Sequence, residues 1–152
     1  MERLTEVNWD RELTEEMHWL AKAQAMLFEV CELDFKKDGQ DFVEKFMNSD
    51  LALKLDKGHL YSEDYKELGK IFLDETPVKP LEGTKCFHVD VLFWMGYLYR
   101  YWASLGVPSK EIIKIAPFDK VLERYVWHTL DIIDVIEQFY KEYTNEQIST
   151  KP

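Results

Sequence analysis

The segment from about Thr14 to Lys36 constrains the fold most, because it contains neither proline nor glycine and has apolar residues at helical spacing. At about 100° per residue, one face of this helix consists of seven side chains: Met17, Leu20, Gln24, Leu27, Phe28, Cys31 and Phe35. More apolar residues fall on the far side, so the predicted polar strip is narrow: His18, Lys22, Glu29 and Glu32. A helix with so little polar surface is central to its fold or covered by a partner. Its N-terminal cap is either Asn8 or Thr14.

Helix signals also dominate the rest of the chain, and no strand or hairpin pattern is present. An aromatic-rich helix is predicted from about His88 to Leu105, where Gly106 stops it. Four side chains are predicted to cap other helices: Ser49, Ser62, Ser109 and Thr129. Residues 76–85, TPVKPLEGTK, form the clearest loop. The sequence therefore predicts one all-α domain over residues 1–152, with about seven helices, several of them short, around the first and aromatic helices.

The charge of the chain is strongly negative and unevenly distributed. The formal net charge is −10; residues 1–76 hold 19 acidic and 10 basic residues, whereas residues 77–152 hold 10 and 9. This balance disfavours nucleic-acid binding and favours a basic protein partner. The N-terminus lacks a basic-then-apolar signal segment, and no apolar run approaches the roughly 18–20 residues of a membrane span. We therefore expect a soluble cytoplasmic protein without a membrane partner; a homo-oligomer is compatible with the sequence.

Patterns of catalytic and metal-binding chemistry are largely missing from the sequence. Glu15 and His18 form one Glu-x-x-His, but a di-iron bundle needs this motif twice and two further glutamates. There is no Cys-x-x-Cys, no Gly-x-Ser-x-Gly and no glycine-rich phosphate loop. Cys31 is predicted to be a core thiol, and Cys86, near Lys85 and His88, is the better candidate for a reactive one. We predict no metal, no cofactor and no catalytic residue.

Residues 109–128, SKEIIKIAPFDKVLERYVWH, could form two short helices joined by a tight turn, as in a helix-turn-helix. Residues 97–128 also carry a local net charge of +2. The second helix, however, holds two acidic residues and no Asn or Gln, which does not suit readout of base edges. DNA-binding regulation stays an alternative function.

The segment 96–102, GYLYRYW, places Arg100 among four aromatic rings. The helical wheel puts Arg100 on the less apolar face, one turn after a notch at Gly96. On one interpretation the arginine is structural, paired with a carboxylate and packed on Tyr97. On the other it belongs to a recognition surface, since Tyr, Trp and Arg dominate interface hot spots. The candidate interaction residues are Tyr97, Arg100, Tyr101, Lys110, Lys114, Tyr125 and His128.

Four segments resemble a small, largely uncharacterised bacterial family: FVEKFMNSDLALKLD (42–56), WMGYLYRYW (94–102), SKEIIKIAP (109–117) and WHTLD (127–131). Genes of that family are associated with toxin–antitoxin-like loci, sometimes beside a predicted ADP-ribosyltransferase-type toxin. The chain departs from the family pattern at Ile113, where an aromatic residue is expected, and at Trp127, where a tyrosine is expected. The resemblance implies a protein-binding, antitoxin-like role with a cognate toxin as partner, and it supplies no catalytic residues.

Residues and resemblance together predict a non-enzymatic protein-binding module that neutralises or regulates a partner protein. The enzymatic alternative is a cleft that contains Arg100, Tyr97 and His128, with the histidine in contact with a carboxylate.

Overall fold

The computed structural model of the chain describes residues 3–58, 64–83 and 86–149. These residues form eight α-helices, one 3₁₀ helix and no strand, which confirms the all-α prediction and adds one helix to the expected number. The elements in chain order are α1 (Glu15–Val30), α2 (Gly39–Met47), α3 (Asp50–Asp56), α4 (Tyr65–Glu75), α5 (Val89–Ser104), α6 (Ser109–Ile115), α7 (Phe118–Glu123), the 3₁₀ helix (Tyr125–Thr129) and α8 (Ile132–Ser149). None of these helices combines the length and the apolar character that crossing a bilayer requires.

The antiparallel helices α1 and α5 are central to the fold, and they make the most extensive helix–helix contact in the described residues. They approach each other at Gly96, where an added Cβ atom would lie 2.7 Å from the carbonyl oxygen of Gln24 and 2.8 Å from the Cα atom of Ala25. Ala21 and Ala25 are fully buried on the α1 side. Because only very small residues let two backbones come this close, Gly96 fixes the crossing point of the pair.

Buried aromatic rings fill the space on both sides of the central pair. Phe72 of α4 meets Phe42 and Phe46 of α2 edge to face, with ring centroids 5.0 and 5.2 Å apart. Trp102 of α5 stacks on Phe139 of α8 at 6.1 Å. Burial of each such ring stabilises the fold by roughly 1.5–3 kcal/mol. The short outer helices are therefore anchored by the aromatic side chains that they bury in the core.

The N-terminus of α1 follows one of the two predicted caps, and its C-terminus does not follow the prediction. The hydroxyl of Thr14 accepts a hydrogen bond from the Met17 N–H at 3.2 Å, so the helix begins after Thr14 and not after Asn8. The helix ends at Val30 instead of continuing to Lys36. Lys36 has a left-handed backbone conformation (φ 58°), so the chain turns at a residue that is neither proline nor glycine and that does not predict a turn.

Among the predicted caps, Ser49 is confirmed, since its hydroxyl accepts from the Ala52 N–H at 3.1 Å. Ser62 lies outside the described residues. The prediction for Ser109 is wrong, because α6 begins directly after Pro108 and the Ser109 hydroxyl donates to Asp56 of another helix. The Ser109 side chain therefore makes a long-range hydrogen bond instead of a local cap.

Thr129 is not the cap of the last helix either, because it lies within the 3₁₀ helix. The carboxylate of Asp131 accepts from the Ile133 N–H at 2.9 Å and begins α8. An acidic cap also suits the positive end of the helix dipole. The predicted start of this helix was therefore two residues too early.

The described part of the predicted loop, 76–83, is irregular and is held against the turn before α2. The Asp38 N–H donates to the Lys79 carbonyl at 2.9 Å, and the Leu81 N–H donates to the Lys36 carbonyl at 2.8 Å. The Lys79 N–H donates to the Asp41 carboxylate at 2.8 Å. The loop contains prolines and has no regular hydrogen-bond ladder, so these bonds provide partners for its backbone groups.

Glu32, which the helical wheel assigned to the polar strip, is buried, with 2% of its surface exposed. Its two carboxylate oxygens accept from the Phe87 N–H at 2.8 Å and the Gly39 N–H at 3.1 Å. Burial raises the pKa of Glu32, and these two hydrogen bonds oppose that rise. The wheel could not predict this, because α1 ends at Val30, two residues before Glu32, and the side chain follows the turn.

Candidate functional site

Arg100 is buried in the centre of the molecule, with 1% of its surface exposed. Its Nη1 atom donates to the Asp56 carboxylate at 2.6 Å, its Nε atom donates to the Gln24 side-chain oxygen at 2.8 Å, and its Nη2 atom donates to the Ser109 hydroxyl at 3.3 Å. Desolvation lowers the pKa of Arg100, and attraction to Asp56 opposes this. The carboxylate partner that the structural interpretation requires is therefore Asp56.

Asp56 completes a polar network that joins four helices. Besides Arg100, it accepts from the Ser109 N–H at 2.8 Å and from the Ser109 hydroxyl at 2.7 Å. Gln24 of α1 continues the network, since its amide donates to the Gly96 carbonyl at 3.3 Å. These bonds connect α1, α3, α5 and α6, and they give each buried polar group a partner, as a low-dielectric interior requires.

The helical wheel therefore assigned the face of Gly96 and Arg100 wrongly. It predicted a less apolar, accessible side with a notch. In the structure the notch is filled by the backbone of α1, and the arginine is covered. A helix that is apolar nearly all round does not reveal from its own sequence which side its neighbour occupies.

The partly exposed aromatic residues of α5 lie on another side of the helix and form a surface groove with the 3₁₀ helix. Six residues line this groove of about 370 Å³, which we call the aromatic groove: Asp90, Phe93, Trp94, Tyr97, Tyr125 and His128. The Trp94 and Tyr125 rings meet at 76° with centroids 5.7 Å apart. The Tyr125 and His128 rings stack in parallel at 4.2 Å. The groove is thus built from rings that are fixed against one another before any ligand arrives.

His128 is held in the groove by a bond within its own helix turn. Its Nδ1 atom lies 2.7 Å from the Tyr125 carbonyl oxygen. Because a carbonyl only accepts, Nδ1 carries the hydrogen of this bond, which leaves Nε2 of the neutral ring as an acceptor. The histidine can therefore accept a hydrogen bond from a ligand.

The aromatic surface extends from the groove towards α1. Tyr97 and Tyr101 lie with ring centroids 6.2 Å apart, and the Tyr97 hydroxyl is 3.5 Å from His18 Nδ1. Burial raises the pKa of Tyr97; burial, followed by Tyr97 and Asp131, raises the pKa of Tyr101. Both phenols therefore stay neutral at physiological pH and can act as hydrogen-bond partners.

The charged side chains at this surface are acidic. Asp90 lines the groove, and 70% of its side chain is exposed; His88 lies 3.8 Å away. Asp131 is close enough to Tyr101 to raise its pKa. Among the described residues that line the groove there is no lysine or arginine. The surface therefore offers aromatic rings together with negative charge.

The seven predicted interaction residues are divided by the structure. Tyr97, Tyr125 and His128 line the aromatic groove, and Tyr101 lies beside it. Arg100 belongs to the buried network. Lys110 and Lys114 are exposed on α6, which packs against α2, α3, α5 and α8, and neither lysine lines the groove. The two lysines therefore do not join the tyrosines in the aromatic groove, and their part in partner binding stays a prediction.

Sequence reasoning missed Phe93, Trp94 and Asp90 in the groove and Asp56 in the network. One signal for Asp56 was present. It is the last residue of α3, where the helix dipole disfavours a carboxylate, so a strong partner elsewhere was required. The aromatic residues at 93, 94, 97 and 101 are spaced to share one side of α5, which was the available signal for Phe93 and Trp94.

The enzymatic alternative required Arg100, Tyr97 and His128 in one cleft. Arg100 instead borders a separate cavity of about 270 Å³ beside Asp56, whereas Tyr97 and His128 line the aromatic groove. The Nδ1 atom of His128 binds a backbone carbonyl and not a carboxylate. The arrangement specified for an Arg/Tyr/His cleft is therefore not formed.

Sites for metal and for thiol chemistry find no additional support in the described ranges. Within residues 3–58, 64–83 and 86–149, no group of three or more His, Cys, Asp or Glu side chains is placed to hold a metal, so Glu15 and His18 gain no further ligands there. Cys31 is fully buried, and desolvation raises its thiol pKa, which confirms it as a core residue. Cys86 is exposed.

The helix-turn-helix alternative is weakened by the pairing of its basic residues. Helix α7 has only six residues. Lys120 forms ion pairs with Glu142 and Glu146 of α8, and the Nε atom of Arg124 donates to Glu142 at 2.9 Å. Cations that are neutralised by their own fold contribute little to phosphate binding.

Among the described residues there is no assembled catalytic constellation. The aromatic groove has an acidic edge at Asp90, and the buried polar network joins α1, α3, α5 and α6. Comparison with protein-family models, with curated proteins and with solved structures finds no match to this chain.

Proposed function

We propose that the protein is a non-enzymatic, antitoxin-like binding module that engages a partner protein through the aromatic groove. The observation that carries this proposal is the set of partly exposed rings along α5 and the 3₁₀ helix, in a chain whose core is already filled by other aromatic residues. Contiguous exposed apolar surface is a feature of interaction sites and of ligand-binding grooves.

The residue types at the groove support a protein partner. Trp and Tyr are enriched at interface hot spots because they bury a large area at a small entropic cost. Val126, between Tyr125 and His128 in the chain, and Leu130, directly after the 3₁₀ helix, are 73% and 53% exposed but do not line the groove. The apolar surface of the groove itself comes from its rings.

The charge of the chain supports a basic partner. The net charge is −10, and the acidic residues at the aromatic surface are Asp90 and Asp131. Complementary charge accelerates association and excludes acidic competitors. The resemblance to the toxin–antitoxin-associated bacterial family makes a cognate toxin the proposed partner and the bacterial cytoplasm the proposed location.

The experiment is co-expression of the full chain with the product of the neighbouring gene, followed by co-purification and a growth assay. We expect the neighbour alone to slow growth, the chain to restore growth, and the two proteins to purify together. The variant Trp94→Ala/Tyr125→Ala should lose both effects while it keeps its helical circular dichroism. Ile148→Ala is the matched control, because it removes an apolar side chain that is 63% exposed on α8, outside the groove.

Two outcomes would contradict the proposal. A wild-type chain that neither co-purifies with the neighbour nor restores growth would remove the partner. A folded groove variant that protects as well as Ile148→Ala would show that the partner binds another surface.

A further inference from the structure

We propose that the aromatic groove is a binding site for the guanidinium group of an arginine side chain that the partner protein presents. The source of this arginine rests on the proposed function, whereas the cation-binding chemistry rests on the groove itself. The inference commits to one occupant because the ring geometry and the charge of the groove point to the same ligand.

The rings of the groove offer the π surface that a planar cation requires. Trp94 and Tyr125 meet nearly at right angles, and His128, which also lines the groove, stacks in parallel on Tyr125. Guanidinium groups stack on Trp and Tyr faces, and arginine uses such contacts more often than lysine. The same chain contains one example nearby, since the Arg124 Cζ atom lies 5.5 Å from the centre of the Trp127 ring.

The charged and polar groups of the groove complement a cation and would repel an anion. The carboxylate of Asp90 lies at the edge of the groove and is largely exposed, with His88 as a neighbour at 3.8 Å. When the His128 ring is neutral, its Nε2 atom can also accept from a guanidinium N–H, since Nδ1 is bonded to the Tyr125 carbonyl. No lysine or arginine among the described lining residues competes for these acceptors.

The size of the groove also suits a side chain and not a large cofactor. Its volume is about 370 Å³, near the lower end of the range of small-ligand sites, roughly 300–1,000 Å³. A groove open on one side accepts a side chain that approaches on a partner's surface. An arginine there would add a cation beside Asp90, whose carboxylate lies 3.8 Å from the Nδ1 atom of His88.

The test is a titration of the full-length, isotope-labelled protein with N-acetyl-arginine amide, monitored through the indole N–H signals of its tryptophans in NMR spectra. Trp94→Phe identifies the Trp94 signal by its loss. We expect the Trp94 signal to shift saturably in the millimolar range, while the signal of Trp9, which packs on Tyr140 outside the groove, stays in place. N-acetyl-citrulline amide, the neutral isostere, should bind at least about fivefold more weakly, because a cation–π contact and an ion pair are lost.

The variant Asp90→Asn separates charge from shape. It retains the rings and should bind N-acetyl-arginine amide about threefold more weakly, with the loss decreasing at high salt. Equal affinity for arginine and citrulline amides would overturn the cation assignment. Tighter binding of N-acetyl-lysine amide would overturn the choice of a guanidinium, and a Trp94 signal that never shifts would remove the site.

The outcome is distinguishable from failure of the proposed function. If the groove binds N-acetyl-arginine amide but the protein captures no neighbouring partner, the cation site stands and its role in partner binding fails. If the partner binds through the groove but citrulline competes as well as arginine, the proposed function stands and the guanidinium assignment fails.

Discussion

Replacing Arg100 by alanine tests the interpretation of this residue as the centre of a buried structural network. The substitution removes the three hydrogen bonds that the guanidinium donates and leaves Asp56, whose side chain is only 9% exposed, without its cation. Breaking a buried ion pair by removing one member costs roughly 3–5 kcal/mol. Since both Ser109 bonds to Asp56 are retained, we expect a loss of about 3 kcal/mol.

A loss of this size is large against the roughly 5–15 kcal/mol of stability that a domain possesses. It corresponds to a decrease in Tm of roughly 6–12 °C for a chain of this length. Urea denaturation followed by circular dichroism measures the free energy of unfolding directly. Arg100→Lys should lose less than Arg100→Ala but remain clearly destabilised, because an ammonium group cannot reproduce the planar fork that reaches Gln24, Asp56 and Ser109 together.

A double-mutant cycle with Asp56→Ala shows whether the cost arises from the pair. In the double variant no buried charge remains unpaired, so the two single costs should not add, and the coupling energy should be at least about 1 kcal/mol. If the free energy of unfolding of Arg100→Ala lay within about 0.5 kcal/mol of the wild-type value, the assignment of Arg100 to a structural network would be refuted. If that protein also lost its partner, the recognition interpretation of Arg100 would be correct instead.

Four further substitutions test other parts of the fold by urea denaturation. Gly96→Ala should cost about 1–3 kcal/mol, because the new Cβ atom would overlap the α1 backbone; an unchanged free energy of unfolding would mean that α1 and α5 can separate easily. Glu32→Ala should cost about 2 kcal/mol, because two backbone N–H groups lose their acceptor. The raised pKa of Glu32 means that the native state binds the proton of this carboxyl group more tightly than the unfolded state does. The stability advantage of wild type over Glu32→Ala should therefore shrink as pH rises from 4.5 through the pKa of the folded state. An advantage that grows with pH would be inconsistent with this pKa shift. Asp131→Ala should cost about 1 kcal/mol and Thr129→Ala less than about 0.5 kcal/mol, because Asp131 caps α8; the reverse order would restore Thr129 as the cap.

Much of the helical architecture could be predicted from the sequence because local signals set it. The predicted aromatic helix, about 88–105, agrees with α5 at Val89–Ser104. His88 caps its N-terminus, and Gly106, with a positive φ, follows its C-terminus. The end of α1 could not be predicted in the same way. The left-handed turn at Lys36 is stabilised by long-range backbone hydrogen bonds to residues 79–81. The segment before Gly39 contains no proline or glycine that would predict this turn.

The candidate site was only partly predictable, for a physical reason. The helical wheel gives the angle between side chains of α5, but it does not give the direction from which α1 covers the helix. The aromatic spacing therefore identified Tyr97 and Tyr101 as surface candidates, whereas Arg100, one residue from Tyr101, points into the core. The position of Lys110 and Lys114 depends on how α6 packs, which spacing along α6 does not determine.

The affinity of the purified partner for Trp94→Ala and for wild type, measured by calorimetry alongside urea denaturation of both proteins, tests the central claim most directly. We expect the variant to keep most of its stability and to lose at least about 2 kcal/mol of binding free energy, roughly a thirtyfold weaker Kd. A folded variant that binds the partner with the wild-type Kd would contradict the assignment of the aromatic groove as the binding surface.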